Sequence, residues 1–240
     1  MRAFKSILLL RMHTGECNLD ECFLCRHCLP EWKELIKLHK RTILIKKGKR
    51  LFEEGDKVKS MFFLIKGAFK IHIHWGDQKE LIIRFVVPGD PLGIRGLVAS
   101  GVYPITATAL EDSWICVIDN DFLETTLRVN HALTYQLMHF YAAELHHAEK
   151  RMRNLAHMEV KGRIADALME MKNAFGVNEQ HQLRFSITRQ DIASYAGTTY
   201  ETVFKLFNEM TADGIIAASG KTISILKPEA LRKMASRKSA

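Results

Sequence analysis

The stretch TRQDIASYAGTTYETVFKLFNEMTAD, residues 188–213, can fold in very few ways. Thr188 is followed three residues later by Asp191, a variant of the capping box that starts a helix. A second helical run begins at Thr198 and closes at Gly214. Two helices that cross at a sharp angle need a small residue at their approach, a residue that tolerates the turn, and an apolar anchor beneath the second helix. Ala193, Gly197 and Val203 supply these at spacings of four and six. The following residues, IIAASGKTISIL, predict two strands around a tight Ser219-Gly220-Lys221 turn. The block reads as a winged helix-turn-helix, whose second helix is suited to a DNA major groove.

On that helix and its turn, Thr198, Thr199, Tyr200, Glu201, Phe204 and Lys205 are expected to face outward. Glu201 can accept a hydrogen bond from cytosine N4, and Lys205 can donate to guanine O6 or N7. Thr188, Arg189 and Thr199 suit phosphate contacts. A helical hairpin with a merely solvated polar face is the bland rival, and charge weighs against it. The chain has a net charge of +8, and residues 150–240 hold 15 Lys and Arg against 9 Asp and Glu, a net of +6. Nucleic acid is the usual partner of a domain so charged.

Upstream the pattern differs. Residues 42–118 are short β-rich runs broken by turn signals such as EEGD, KG, WGDQ and VPGD, which predict a β-barrel or jelly roll. Phe69, Ile71 and Ile73 alternate with Lys70, His72 and His74, so the two histidines are expected on a solvent-facing strand face. EWKELIKLHKR, residues 31–41, predicts a short amphipathic helix after Pro30. Helical spacing begins near Asp121, and its longest run is from His131 to about Met158. There Leu133, Leu137, Tyr141, Leu145, Ala148, Met152 and Leu155 recur at near-heptad steps. Such a stripe packs on the barrel or forms a seam with a second copy, with the residues from Leu137 onward as seam candidates. A further helix is expected over residues 160–175 before Gly176, and the tail RKMASRKSA is expected to fray.

Four of the five cysteines, Cys17, Cys22, Cys25 and Cys28, lie within twelve positions, and Cys116 is far away. No stretch reaches the roughly 20 apolar residues of a membrane span. The opening MRAFKSILLLR has only four consecutive apolar residues, where a secretory leader needs about 7–15. A cytoplasmic location is therefore expected, where clustered cysteines more often bind metal or work in redox chemistry than form structural disulfides. An iron–sulfur cluster, a zinc site, a thiol–disulfide switch and free thiols remain open on spacing alone.

The chain resembles the CRP/FNR family of bacterial transcription regulators. LFEEGDKVKSMFFLIKGAFKI is similar to that family's first sensor strands, PGDPLG to a later turn, and TRQDIASYAGTTYETVFKLFNEM to its DNA-reading motif. The resemblance implies an α+β architecture in which an N-terminal β-roll, a cyclic-nucleotide-binding-like jelly roll, precedes a long dimerisation helix and a C-terminal winged helix-turn-helix. It divides the chain into a cysteine-bearing segment and helix (1–40), a sensor (41–120), a dimerisation region (121–158) and a DNA-binding domain (159–240). It implies a homodimer on a palindromic double-stranded site, working with RNA polymerase. It places Glu201 and Lys205 at the two central base-reading positions, where the family commonly has arginine instead of Lys205. Phe204 replaces a small residue and would meet a thymine methyl.

Cyclic-AMP binders of the family use a glycine–glutamate pair and an arginine–serine pair. Here Gly93 is followed by Ile94, and VYPITA lacks the arginine–serine, so cyclic AMP is not expected. The oxygen-sensing FNR branch is more similar. It too has a cysteine where Cys116 stands and an N-terminal cluster ending in cysteine, an apolar residue and proline, as in CLP here. The resemblance matches Cys28 and Cys22 to cluster ligands. The remaining ligand falls near Leu19, between Cys17 and Cys25. Cys22, Cys25 and Cys28 form a Cys-x2-Cys-x2-Cys run, and Cys116, expected at the end of a sensor strand, completes four thiolates for a [4Fe-4S] cluster, with Cys17 as the alternate ligand. Oxygen or nitric oxide is then the implied signal. Zinc, a haem near His72, His74, His146 or His147, an organic effector in the β-roll, and no ligand are the alternatives. An enzyme is not expected, because the sensor strands present Phe, Ile, Leu and Val inward and no nucleophile–base pairing is evident.

Overall fold

The computed structural model describes residues 20–76, 79–97 and 101–236. In chain order the elements are α1 (Phe23–His27), α2 (Lys33–His39), β1 (Arg41–Ile45), β2 (Arg50–Phe52), β3 (Ser60–Lys66), β4 (Phe69–Trp75), β5 (Lys79–Val86), β6 (Pro91–Leu92), β7 (Thr106–Ala109), β8 (Ser113–Asp119), α3 (Asn120–Val129), α4 (His131–His157), α5 (Val160–Phe175), α6 (Arg189–Ala196), α7 (Tyr200–Ala212), β9 (Ile216–Ser219), β10 (Thr222–Ile225) and α8 (Pro228–Ser236). They form two compact units, residues 1–69 with 86–136, and 70–85 with 137–240.

In the first unit β1, β8, β3 and β6 form an antiparallel sheet, and β2 pairs with β7. Runs rich in Phe, Ile, Leu and Val make these strands and bury Phe63, Leu64, Ile115 and Ile118 almost completely. Phe52 stacks on Tyr103 with ring centroids 4.1 Å apart and on Phe62 at 5.8 Å. The Tyr103 hydroxyl donates to the Ser60 carbonyl at 2.5 Å, so this aromatic plug is polar-satisfied as well as packed.

The second unit carries the β4–β5 hairpin, most of α4, and the helices and wing that follow. Arg151 of α4 connects three of its elements. One Nη donates to the carbonyls of Ile82, at 2.7 Å, and Ile83, and the other to the Tyr195 carbonyl at 2.7 Å. The guanidinium also lies 3.9 Å from the centroid of the Tyr195 ring. One planar cation thus ties β5, α4 and the end of α6 together, which its rigid multi-donor fork allows. Burial pulls its pKa down, while Tyr195, Asp166 and Glu170 act the other way.

Three expectations needed correction. His72 is buried, 2% exposed, where the alternation predicts a solvent-facing side chain, and only His74 of the pair is exposed. The tail is not frayed through residue 236: α8 continues to Ser236 and seats Leu231 in the core. Ser219 ends a strand, so the wing turn is the two residues Gly220 and Lys221. Among the described residues no helix is long and apolar enough to cross a membrane.

Arg151→Met keeps length and apolar stem but strands buried carbonyls of β5 and α6. It is expected to lower unfolding free energy by about 2–4 kcal/mol, read as an earlier urea midpoint with an unchanged slope.

Candidate nucleic-acid interface and thiol site

The helix-turn-helix is held by local chemistry first. Thr188 caps α6: its hydroxyl oxygen accepts from the Asp191 N–H at 3.0 Å, and Asp191 Oδ2 accepts from the Thr188 N–H at 3.4 Å and hydroxyl at 2.5 Å. Gly197 ends the helix at φ +62, a left-handed backbone that favours glycine, and a Cβ there would lie 2.7 Å from Leu155 Cδ2, which would have to shift. Arg163 of α5 donates to the Ala196 carbonyl at 2.8 Å and reaches that of Gly197 at 3.4 Å, a cation at a helix C-terminus. Thr199 caps α7 by accepting from the Thr202 N–H at 3.3 Å.

Helix α7 is amphipathic. Val203, Phe207 and Met210 are buried, and Ala193 of α6 is buried beside them in the unit's core. On the other side Tyr200, Glu201, Phe204 and Lys205 are exposed, with Thr199 exposed and Thr198 half-buried at the turn. Arg189 is half-buried, its guanidinium 5.7 Å from the ring centroids of both Phe204 and Phe207. Thr188 is exposed beside it. The wing leaves Lys221 exposed at its tip.

Lys70 of β4 reaches this unit's reading head. Its Nζ donates to Asp191 Oδ1 at 3.0 Å and to Glu80 Oε1 at 2.5 Å. Burial alone would lower the Lys70 pKa, but the Glu80 and Asp191 carboxylates outweigh it and hold the ammonium above its ordinary value. Asp191 therefore serves both the cap of α6 and the anchor of the hairpin. Sequence reading missed Lys70, Arg151 and Arg163 alike. Lys70 is 121 residues from Asp191, and no periodicity announces such a partner.

The thiol site belongs to the first unit. Cys22 caps α1, Cys25 lies within it and Cys28 follows its end, and all three are buried. Cys22 and Cys28 are extended residues at the two ends of this short helix, so only Cys25 has helical backbone. Cys116 is 1% exposed and sits in the middle of β8, opposite Thr42 and Phe63, not at the end of a strand. Cys17 lies outside the described residues. The Phe23 N–H donates to the Gly89 carbonyl at 3.0 Å, and the Gly89 N–H to that of Leu64 at 2.8 Å. A Cβ on Gly89 would come within 2.6 Å of the Glu21 carbonyl oxygen, so glycine at φ +97 lets the segment approach β3.

Asn130, fully buried at the break between α3 and α4, holds the other end. Its Nδ2 donates to Cys28 Sγ at 2.9 Å, and its Oδ1 accepts from the Leu29 N–H at 3.3 Å. Its backbone caps α3 through the Thr126 carbonyl at 2.9 Å and receives the Thr134 N–H at 3.0 Å. Burial pushes the Cys28 thiol pKa up, against the pull of the Asn130 and Leu29 hydrogen bonds. Buried thiols of this kind become thiolates when a metal supplies the charge. Among the described residues, the three metal-ligating side chains with ligand atoms within 4.8 Å of one another are His72, His74 and Glu80, and not a set of thiols. Tetrahedral zinc would draw sulfur atoms to about 3.8 Å apart, from Zn–S bonds of ~2.3 Å. A polynuclear cluster, with each thiolate on its own iron, tolerates wider spacing.

Of the seam candidates, Tyr141, Leu145, Ala148 and Met152 are exposed and Leu155 is half-buried, whereas Leu137 is already buried in the protomer. Leu145 and Met152 are 62% and 67% exposed, an unusual cost for a helix left in water. His146 and His147 are exposed on the same helix.

Two family models match the chain, a cyclic nucleotide-binding domain over residues 42–130 and a Crp-like helix-turn-helix domain over residues 162–234. The transcriptional activator protein anr of Pseudomonas aeruginosa is 30% identical over 220 residues, covering 88% of this chain and 89% of that one. The fumarate and nitrate reduction regulatory protein of Escherichia coli strain K12 is 27% identical over 238 residues, 95% of each chain. Among solved structures, FixK2 from Bradyrhizobium japonicum has the same fold, with a TM-score of 0.74 at 23% identity over 83% of this chain and 99% of that one.

Asp191→Ala removes the reciprocal half of the α6 capping box, while Thr188 can still accept from the N–H at position 191, and leaves Lys70 with one carboxylate. Stability is expected to fall by about 1–3 kcal/mol, whereas Asp191→Asn, which can still cap, costs less; thermal unfolding of both variants separates the two roles.

Proposed function

Because the chain belongs to the CRP/FNR family of transcription regulators, we propose that it is a dimeric, sequence-specific DNA-binding regulator that answers a redox or gas signal through its thiols. The observation that carries the sensing part is the burial of Cys22, Cys25, Cys28 and Cys116 in one unit, with Asn130 joining Cys28 to the α3–α4 break. The proposed division of labour is residues 1–40 as the thiol segment, 41–120 as the sensor, 121–158 as the dimerisation region and 159–240 as the DNA-binding domain.

The donor set suits a [4Fe-4S] cluster, held by Cys22, Cys25, Cys28 and Cys116 with Cys17 as alternate. Bound there, such a cluster would supply redox chemistry and sensitivity to oxygen or nitric oxide. The protein's own part is mechanical. Asn130 keeps its amide on the Cys28 sulfur and its oxygen on the Leu29 N–H, which fixes how α3 hands over to α4. A group taken up or lost at that sulfur would change this hydrogen bond at the base of the long helix. The exposed Tyr141, Leu145 and Met152 face of α4 is where a second copy would pack, so the dimer is the element whose equilibrium shifts. The aromatic plug of Phe52, Phe62 and Tyr103 supports a sensor that does not hold a cyclic nucleotide, as does the lack of a phosphate-binding pair at VYPITA.

On DNA, Glu201 and Lys205 would read bases, Phe204 a thymine methyl, and Thr188, Arg189, Thr198, Thr199 and Tyr200 would lie along the backbone and groove wall. Two reading heads imply a palindromic site with half-sites about one helical turn apart. Promoter activity would run through RNA polymerase in the cytoplasm.

Protein purified without air should be coloured and carry iron and sulfide. A colourless, iron-free preparation made in this way overturns the cluster. In binding assays, operator affinity should fall steeply with salt, and Glu201→Ala should relax one base position by roughly 1–3 kcal/mol. An unchanged sequence preference in Glu201→Ala would mean that another surface reads the site.

A further inference from the structure

The β4–β5 hairpin carries a second cluster of ligating side chains, separate from the thiols. His72 and His74 stand two apart on β4, on one strand face, with ring centroids 4.8 Å apart. Glu80 comes from β5, and its Oε2 lies 3.1 Å from His72 Nδ1. One nitrogen from each histidine and one carboxylate oxygen all fall within 4.8 Å of one another. His72 is buried, Glu80 half-buried and His74 exposed, so the group has a floor, a wall and an opening to solvent.

We propose that His72, His74 and Glu80 bind a divalent first-row transition ion. Two imidazoles and one carboxylate are the donor set of zinc, cobalt, nickel and iron(II) sites, and three protein ligands leave a position for water. Magnesium or calcium would demand more oxygen ligands than the hairpin offers. The carboxylate is already oriented: Glu80 Oε1 accepts from Lys70 Nζ at 2.5 Å, which leaves Oε2 for the ion, and Lys70 is held in turn by Asp191 at 3.0 Å. Outer hydrogen bonds of this kind are what fix ligating carboxylates. The site therefore lies one lysine away from the cap of α6, on the first helix of the reading head. It does not depend on the iron–sulfur reading, because none of its ligands is a thiol.

Cobalt(II) titrated anaerobically into the full chain tests it. Expected is one equivalent with ligand-field absorption typical of nitrogen and oxygen ligands and without thiolate-to-cobalt charge-transfer bands. His74→Ala and Glu80→Gln should each weaken that equivalent by about 10-fold or more, and His146→Ala should leave it unchanged. His74 is exposed, so its removal should not disturb the fold, which circular dichroism checks. The proposal is overturned if cobalt gives only thiolate-bearing spectra, if no cobalt binds, or if His74→Ala and Glu80→Gln bind as the parent does. Charge-transfer bands alone would point to the thiol site, so the two readings fail separately.

Discussion

The second unit is organised around a cation withdrawn from water. Arg151 is half-buried against Tyr195 and donates to carbonyls of β5 and of α6. A guanidinium in that position loses hydration worth several kcal/mol unless its N–H groups find acceptors. Here the acceptors are main-chain carbonyls of two different elements. The bridging explains why the hairpin, the long helix and the first helix of the reading head form a unit. The apolar packing of Phe85 on Tyr195, with centroids 5.3 Å apart, adds area to the contact, but area alone is non-directional. The arginine's hydrogen bonds specify the register.

Lys70 follows the same logic in weaker form. An ammonium only 14% exposed is stabilised by two carboxylates from different elements, Glu80 and Asp191. Each carboxylate also acts elsewhere, because Glu80 faces His72 and Asp191 completes the capping box of α6. A charge that enters at the hairpin therefore acts on groups already committed to the reading head. This sharing is a reason for a buried ionic network to persist where an apolar pair would pack with less desolvation cost.

The parts of the molecule that were legible in the sequence are those whose causes are local. The capping box of Thr188 and Asp191, the left-handed Gly197 and the apolar anchor Val203 all act within a few residues, and each is where the pattern put it. The wing, equally local, differs only in that Ser219 is paired with Thr222 and so belongs to the strand. Long apolar strands were legible as a β-rich domain, but which face of β4 would be covered was not. Two-residue alternation marks a half-buried strand, but on that face Lys70 pairs with Asp191, 121 residues along the chain, and His72 is covered as well. Short α1 was hidden for a different reason. Its residues FLCRH include a cysteine of the metal-type run and span barely more than one turn, too few to show a helical period. Asn130, Arg151 and Arg163 carried no sequence signal, because a single polar residue acquires its role only from partners that folding brings to it.

Asn130 shows most clearly what such a residue adds. A break between α3 and α4 leaves carbonyls and N–H groups that need partners. Asn130 meets part of that need with its own backbone and commits its side chain to Cys28 and Leu29. An alanine there could still allow the chain to bend, but the bend would no longer be hydrogen-bonded to the Cys28 sulfur. A charged residue would lose more, since the site is fully buried. A neutral amide, able to donate to sulfur and accept from a backbone N–H at once, satisfies both demands. Under the proposed function, the same two hydrogen bonds make the start of α4 sensitive to what Cys28 holds, while the reading head keeps its own local caps. Sensing and reading are then joined both by α4 and by the Lys70–Asp191 ion pair, which ties β4 to the first helix of the reading head.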